Sequence, residues 1–188
     1  MEFFCAIAVI GVIIAAVFYI KHSAQTADPG ELLDELDEQV QQALRSTFTE
    51  EVVGPKDYRA GLRGVFAQQH ALVQALKPGE RLNLVIPAMR QGRFEGLAVV
   101  ADQRVIEFKN EIKSQVPIHE IVTTKLGTHP GGFAIAEIIG ENYTPFSSGI
   151  SSWQLELNRK NHVQVDFPML SVARHFVAII DGQRGRND

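Results

Sequence analysis

The sequence predicts an α+β protein whose main domain consists of about seven short antiparallel strands followed by a C-terminal capping helix. Short apolar runs separated by polar turns recur between residues 80 and 167, which is the pattern of consecutive strands. After Pro168 the apolar residues recur at helical spacing instead. The N-terminal part adds an uncharged apolar run and two amphipathic helices.

Composition restricts the class of function. A chain of 188 residues has room for one ordinary domain and extra segments. Its net charge of −4 argues against nucleic acid as a partner, because a nucleic-acid-binding surface needs a basic stripe. The single cysteine, Cys5, leaves no internal disulfide and no cysteine metal site.

Residues 3–20 are predicted to form an uncleaved transmembrane helix. They contain no charged residue and would extend about 27 Å as a helix, close to the hydrocarbon thickness of a bilayer. A cleaved signal peptide is the alternative, but Met1-Glu2 lacks the basic residue that such a signal needs. Lys21 on the far side favours a cytoplasmic C-terminal part, so the predicted location is the cell membrane.

Residues 28–76 are predicted to form an acidic helical stalk of two amphipathic helices. The first covers residues 31–48 and is rich in acids, and the second covers residues 56–76 after Gly54-Pro55. Each has one apolar face that needs a partner. Three arrangements stay open: an antiparallel hairpin of the two helices, docking on the β-domain, and pairing with a second copy of the chain.

The strands follow in order. The first alternates through Leu82, Leu84 and Ile86, and the second is the continuous apolar run of a strand buried on both faces. The seven predicted strands cover residues 82–86, 96–100, 104–108, 116–126, 133–139, 153–157 and 162–167. Trp153, in the alternating sixth strand, is expected to pack in the core or at the barrel rim.

A C-terminal helix ends the predicted domain. Pro168 opens it, and its apolar residues form one stripe at positions 170, 173, 176, 177 and 180. The polar tail, residues 182–188, is expected to fray.

Three local patterns resemble the pleckstrin-homology-like (PH-like) barrel, and the bacterial PH-domain families in particular. Residues 76–80, LKPGE, are similar to the L-x-x-G-E that opens those domains. Residues 96–106, GLAVVADQRVI, are similar to their G-x-L-x-(V/L)-T-(D/N)-x-R-(L/V)-I segment, with Ala101 where the family has Thr. Val116-Pro117-Ile118 followed by Ile121 resembles their I-P-x-x-x-I strand.

The resemblance implies a PH-like domain over residues 77–181, a closed antiparallel β-barrel of about seven strands whose open end is capped by the C-terminal helix. Such domains are binding scaffolds for lipids, peptides or other proteins, so the resemblance implies a binding function without fixing the ligand.

No catalytic or metal motif is present in the sequence. His119-Glu120 begins like a zincin helix, but Thr123 stands where the second histidine belongs. The six histidines show no metal-ligand spacing, and residues 127–132 lack the lysine of a P-loop. We therefore expect no enzyme activity, no catalytic residue, no metal and no cofactor.

The candidate ligand-binding residues are four cations near the first hairpins. Arg90 and Arg93 flank Gly92 in the loop that contacts phosphates in lipid-binding PH domains, so the resemblance implies that they bind an anionic headgroup. Lys109 and Lys113 would extend the basic patch. The alternative is that all four are solvated charges on turns.

The sequence thus predicts a single-pass, membrane-anchored, non-enzymatic interaction protein whose PH-like domain binds a protein partner. Sensing of anionic lipid is the first alternative, and an enzyme without a recognisable motif is the second. Tethering to a membrane raises the effective concentration of weak binding surfaces. A homo-oligomer is a further alternative that the sequence leaves open.

Overall fold

The computed structural model describes residues 28–45, 47–129, 132–145 and 152–185. The predicted transmembrane helix, residues 3–20, and the end of the predicted tail, residues 186–188, lie outside this part of the chain. Among the described residues, no helix is long and apolar enough to span a bilayer.

Helices and strands form an α+β fold, as predicted. Within the described residues, four helices precede the sheet: α1 (Pro29–Asp34), α2 (Glu38–Arg45), α3 (Glu50–Val53) and α4 (Pro55–Ala75). The strands are β1 (Leu82–Arg90), β2 (Arg93–Ala101), β3 (Arg104–Phe108), β4 (Ile112–Pro117), β5 (Ile121–Thr128), β6 (Ala134–Gly140) and β7 (His162–Phe167). Helix α5 (Ser152–Arg159) precedes β7, and α6 (Leu170–Arg184) follows it.

The seven strands form one antiparallel sheet in the order β4-β3-β2-β1-β7-β6-β5. Strands β1 and β7 are joined only at Met89 and Asp166, so the sheet bends there, and β4 packs against β6 and β7. The edge strands β4 and β5 do not pair with each other. The sheet is therefore curled but open, and the fully closed barrel predicted from the sequence is not formed.

A corner between the edge strands corrects the predicted fourth strand. Residues 116–126 were expected to form one strand, but β4 ends at Pro117 and a 3₁₀ turn, Ile118–Glu120, leads into β5. Pro117 has no backbone N–H to continue a ladder, and the N–H of Ile118 donates to the carbonyl of Gln103 instead.

The segment predicted as the sixth strand is the helix α5. The side chain of Asn158 accepts a hydrogen bond from the backbone N–H of Thr144 (3.1 Å) and donates one to the backbone carbonyl of Thr144 (2.8 Å). The side chain of Asn161 donates to the carbonyl of Leu157 (2.8 Å). Because side-chain amides fix both α5 and the turn after it, tertiary contacts override the alternating pattern of residues 153–157.

The predicted first amphipathic helix is divided into α1 and α2. Gln69 of α4 causes the break, because its side chain accepts a hydrogen bond from the N–H of Asp37 (2.6 Å) and donates one to the carbonyl of Glu35 (3.4 Å). The second predicted helix is confirmed as α4, and the C-terminal helix is confirmed as α6.

Docking on the sheet is the arrangement that the N-terminal helices adopt. Helix α2 packs on β1, and α4 packs on β1 and β2. The fully buried side chains of Val40, Leu44 and Phe48 belong to the same apolar cluster as Val85 and Ile86 of β1. These helices therefore share the core of the sheet.

A buried ion pair joins the end of α4 to β3 and β4. The guanidinium of Arg104 donates from Nε and Nη2 to the two carboxylate oxygens of Glu80 (2.9 and 2.7 Å). It also donates to the side chain of Gln115 (2.6 Å) and to the carbonyl of Ala75 (3.1 Å). The two charged side chains are 7% and 1% exposed, so they are held away from water in a bidentate geometry.

The pKa of Glu80 reflects this arrangement. Burial alone would raise the pKa of the carboxyl group. The hydrogen bonds from Arg104 and from the backbone N–H of Lys77 (2.9 Å), together with the charges of both residues, outweigh burial and lower the pKa below its usual value.

We expect Glu80→Gln to destabilise the protein by about 3–5 kcal/mol at pH 7, because it leaves the buried charge of Arg104 without a counter-charge. The lowered pKa stabilises the fold fully above the unfolded-state pKa of about 4.3, and this stabilisation is lost as pH falls through the folded-state pKa. Urea unfolding of the unmodified protein and of Glu80→Gln between pH 7 and pH 3 measures the difference in stability. The difference between them should narrow below about pH 4.3, and a constant difference would contradict the assignment.

Helix α4 approaches the core closely at Gly61. A Cβ atom there would lie 2.3 Å from the Phe48 ring and 2.9 Å from Pro87, whereas one on Gly64 would meet only Phe94, at 3.8 Å. The ring of Phe48 is buried between α4 and the sheet and contacts the ring of Tyr58, so it cannot move aside freely.

Gly61→Ala should therefore destabilise the protein by about 1–3 kcal/mol through overpacking, despite the better helix propensity of alanine. Gly64→Ala, the same change one turn later, should stabilise it by up to about 1 kcal/mol. Thermal or urea unfolding measures whether Gly61→Ala lowers the stability of the protein and Gly64→Ala raises it. Equal effects from both would show that α4 is not seated against Phe48.

Candidate functional site

The predicted arginines lie opposite each other at the tip of the β1–β2 hairpin. Arg90 and Arg93 are cross-strand partners, separated by Gln91 (φ 51°) and Gly92 (φ 77°). Two consecutive positive φ values make a two-residue turn whose twist matches the strands, and glycine adopts such values without strain. Among the described residues, no carboxylate forms a salt bridge with either arginine.

The predicted lysines lie at the neighbouring β3–β4 turn and are paired with glutamates. Lys109 forms an ion pair with Glu95 (2.7 Å), and Lys113 forms one with Glu111 (2.5 Å). In each pair the hydrogen bond from the lysine lowers the pKa of the glutamate. The positive charge that the sequence predicts at this turn is therefore largely neutralised.

A cavity of about 200 Å³ brings three of the four predicted residues together. Its lining includes Arg90, Lys109 and Lys113 but not Arg93. Three carboxylates, those of Glu95, Glu107 and Asp166, face the same cavity. The three acids balance the three bases, so the cavity is not a simple anion site.

Asp166 is a half-buried carboxylate of this site whose pKa is raised above the usual value. Burial raises its pKa, and the nearby His129 lowers it only in part. Asp166 lies at the single bridge between β1 and β7. Nothing in the linear sequence places residue 166 beside residue 90, so the sequence could not identify this carboxylate as part of the site.

A second cavity, of about 260 Å³, continues the first towards α5. It shares Glu107, Lys113 and Gln164 with the first cavity, and α5 borders it with Leu155 and Arg159. We call the two together the α5 groove. Ser114 on its wall donates a hydrogen bond to Glu107 (2.8 Å), which fixes that carboxylate inside the groove.

Two large apolar side chains of α5 face solvent. Trp153 is 65% exposed and Leu155 is 41% exposed. Leu155 borders the α5 groove, and Trp153, about 200° away around the helix, lies on the opposite flank. The expectation that Trp153 packs in the core or at the rim was wrong, because a period of two on a helical backbone cannot bury every apolar residue on one face.

The histidine His162 lines the part of the α5 groove nearest α5. The ring of His162 stacks on Tyr143 (4.4 Å between centroids), and its Nε2 lies 3.0 Å from a carboxylate oxygen of Glu137. Burial and the charge of Glu137 raise the pKa of Tyr143. The contacts of His162 hold it in a packed position between β6 and β7. Within the described ranges, no group of three or more histidine, cysteine or acidic residues is placed to hold a metal ion.

A larger cavity, of about 470 Å³, lies beside the buried ion pair and is lined in part by Lys77, Arg104 and His119. The guanidinium of Arg104 already donates to Glu80, Gln115 and Ala75. The N–H groups of Arg104 are therefore used by contacts within the fold. This cavity offers a ligand fewer available polar groups than the α5 groove does.

Comparison of the chain with family models, with curated proteins and with solved structures finds no match.

Asp166→Asn should stabilise the protein at pH 7. Because burial raises the folded-state pKa of Asp166, the fold loses stability as pH rises through that pKa, and the amide removes this loss. Urea unfolding should show a gain in stability at pH 7 that shrinks as pH falls through the raised folded-state pKa and is absent below about pH 3.9, where the carboxyl is protonated in both states.

Asp102→Asn is the matched control. The exposed carboxylate of Asp102 accepts hydrogen bonds from the N–H of Arg81 (3.2 Å) and the side chain of Asn83 (3.0 Å). Because Asp102→Asn removes a charged hydrogen-bond acceptor, it should not increase the stability of the protein at pH 7. A gain of the same size from both substitutions would point to net charge and not to the burial of Asp166.

Proposed function

We propose that this chain is a single-pass membrane protein whose PH-like domain binds a protein partner without catalysing a reaction. The observation that carries the proposal is the exposure of two large apolar side chains on α5: Leu155 borders the α5 groove, and Trp153 lies on the opposite flank of the helix, so one partner that straddles α5 would cover both. Exposed aromatic and aliphatic side chains next to a polar groove are typical of an anchor residue and its polar rim.

The strand order and the C-terminal helix support the PH-like assignment. A curled seven-stranded antiparallel sheet with one helix after its last strand agrees with the resemblance in the sequence. Glu80 and Arg104 belong to two of the sequence segments that carry the resemblance, and they contact each other in the buried ion pair. The contact is a structural reason for the two segments to occur together.

The balance of charge favours a protein over an anionic membrane as the ligand of the α5 groove. A phosphate-binding site needs an excess of cationic donors, whereas this groove combines Arg90, Lys109 and Lys113 with three carboxylates. Protein surfaces present charges of both signs and tolerate such a lining.

The proposed membrane anchor, residues 3–20, would make weak contacts sufficient. A surface with one large aromatic residue and a small groove is modest by the standard of stable complexes. Confinement to the membrane raises the effective concentration of both partners to about the millimolar range for a short tether. Lys21 continues to favour the cytoplasmic side for the domain.

Site-specific photo-crosslinking in native membranes tests the protein-binding proposal. A benzophenone amino acid at position 153 of the full chain should capture one heterologous protein, and Leu155→Glu should abolish the capture. The same probe at Arg59, on the exposed surface of α4, should capture nothing specific. Trp153→Ala should weaken binding of the captured protein about 30-fold, the loss typical of an interface hot spot. Binding that survives deletion of residues 77–181 would contradict the proposal.

Lipid binding through the hairpin tip is the second candidate, because no described carboxylate pairs with Arg90 or Arg93. The test uses residues 28–188, since the N-terminal helices share the core and a fragment from residue 77 would lack them. If this function holds, the fragment should bind vesicles containing phosphatidylserine at low salt, and Arg90→Glu/Arg93→Glu should abolish binding.

Lys56→Glu/Arg59→Glu is the control for that experiment, because it makes the same charge change on the exposed face of α4. Equal losses from the two double variants would indicate a non-specific effect of net charge. Absence of vesicle binding by the unmodified fragment would eliminate the lipid candidate.

A further inference from the structure

The lysines of the α5 groove are already engaged within the fold. Lys109 pairs with Glu95 at 2.7 Å, and Lys113 pairs with Glu111 at 2.5 Å. A charge that is held in an ion pair of this kind attracts a ligand less strongly than a free charge does. These two ion pairs therefore border the groove without adding net charge to it.

Two arginines of the groove are not neutralised in this way. Arg90 lines the first cavity of the groove, and Arg159, in the last turn of α5, lines the second. No described carboxylate forms a salt bridge with either guanidinium. The charge of Arg159 helps to lower the pKa of Glu111, but that carboxylate accepts its hydrogen bond from Lys113. Because a guanidinium stays charged at any ordinary pH, each arginine is a cationic donor that is available to a ligand.

Strand β7 connects the two cavities and sets the distance between their ends. His162 lines the second cavity, Asp166 lines the first, and Gln164 lines both. Four residues of a strand cover about 13 Å, so the groove is about that long. Arg90 lies at the Asp166 end, because its neighbour Met89 is the bridge partner of Asp166. The side-chain amide of Gln164, at the centre, makes no hydrogen bond to another described residue and is available to a main chain that passes over it.

We propose that the α5 groove binds an extended acidic segment of the protein partner, with one carboxylate on Arg159 and a second on Arg90. This inference rests on the proposed function, because it assigns the chemistry of the partner at the same groove. Five extended residues span about 13 Å, so acids at the first and fifth positions of the segment would reach the two arginines. A carboxylate that binds a guanidinium through two parallel hydrogen bonds makes one of the stronger polar contacts in proteins.

The remaining side chains of the groove restrict the middle of the segment. Glu107 lines both cavities and is held in place by Ser114, and Asp166 lines the first cavity. An acid in the middle of the segment would face these carboxylates, and like charges across an interface are costly. Leu155 is 41% exposed at the Arg159 end, so an apolar residue next to the first acid would cover it.

The size of the groove favours an extended segment over a helix and a protein over a lipid. An α-helix with its side chains is about 10–12 Å across, which is too wide for cavities of about 200 and 260 Å³. An anionic headgroup at the hairpin tip would engage Arg90 together with its cross-strand partner Arg93. The groove uses Arg90 without Arg93, which lies outside its lining.

Photo-crosslinking from the centre of the groove tests the segment. A benzophenone amino acid at Gln164 of the full chain, in native membranes, should capture the same protein as the probe at position 153. Mass spectrometry of the crosslinked peptide should find two acidic residues four positions apart around the site of attachment. Capture at 153 without capture at 164, or a captured segment that lacks these acids, would overturn this inference and leave the proposed function standing. Absence of capture at both positions would overturn both.

Matched charge reversals give an independent test, because the chain offers a control beside each arginine. Arg159→Glu and Arg90→Glu should each reduce capture at position 164 at least about tenfold. Lys160→Glu and Arg93→Glu make the same charge changes at neighbouring exposed residues outside the groove and should leave capture unchanged. Thermal unfolding of the four variants checks that they fold alike.

The remaining outcomes distinguish the rivals. Equal losses from Arg90→Glu and Arg93→Glu would point to a lipid at the hairpin tip, and equal losses from Arg159→Glu and Lys160→Glu would point to net charge; either would overturn the inference. Replacing the captured acid that faces Arg159 with lysine should restore capture by Arg159→Glu. Failure of that rescue would overturn the assignment of this carboxylate to Arg159.

Discussion

The bidentate contact between Arg104 and Glu80 is the constraint on which the rest of the fold depends. It places β3, the entry to β1 and the end of α4 around one guanidinium, and Gln115 extends the contact to β4. A buried ion pair of this kind gains little net energy over an apolar pair of the same shape, but losing one partner is costly. Its effect here is therefore to specify an arrangement: the helix must end where the carbonyl of Ala75 meets Arg104.

Two amide side chains on α4 also fix the arrangement of neighbouring elements through hydrogen bonds. Gln69 satisfies the backbone at the break between α1 and α2, and Gln68 accepts a hydrogen bond from the N–H of Asn110 (3.0 Å) at the β3–β4 turn. Asn110 has a φ of 58°, which asparagine tolerates better than most residues. Because α4 thereby fixes the turn that carries Lys109, the position of the α5 groove depends on a helix that does not line it.

The sequence correctly predicted those elements whose apolar residues repeat regularly, every second residue in a strand or every three to four residues in a helix. Leu84 and Ile86 on β1, the apolar run of β2 and the stripe of α6 each appear where the sequence indicates them. The predictions failed where a distant side chain decided the outcome: Gln69 divides the first helix, and Asn158 fixes a helix on an alternating segment. The site was predictable only in part for the same reason. Arg90 and Lys109 stood out as charges on turns, but the carboxylates that balance them are placed by sheet pairing.

The two surfaces that remain apolar share a physical origin. On α5 a period-two sequence lies on a backbone of period 3.6, so Trp153 and Leu155 cannot both face inward. On β5 a bulge removes Val122 from its ladder, and none of the described strands pairs with the other side of β5. Each is a place where local sequence and global fold disagree, and such disagreements persist most readily where another molecule resolves them. The surfaces lie on different elements, α5 beside β4 and β5 at the opposite edge of the sheet, so covering one would leave the other free. Two weak contacts made at separate places on one chain reinforce each other, so modest surfaces of this kind gain strength when both are covered.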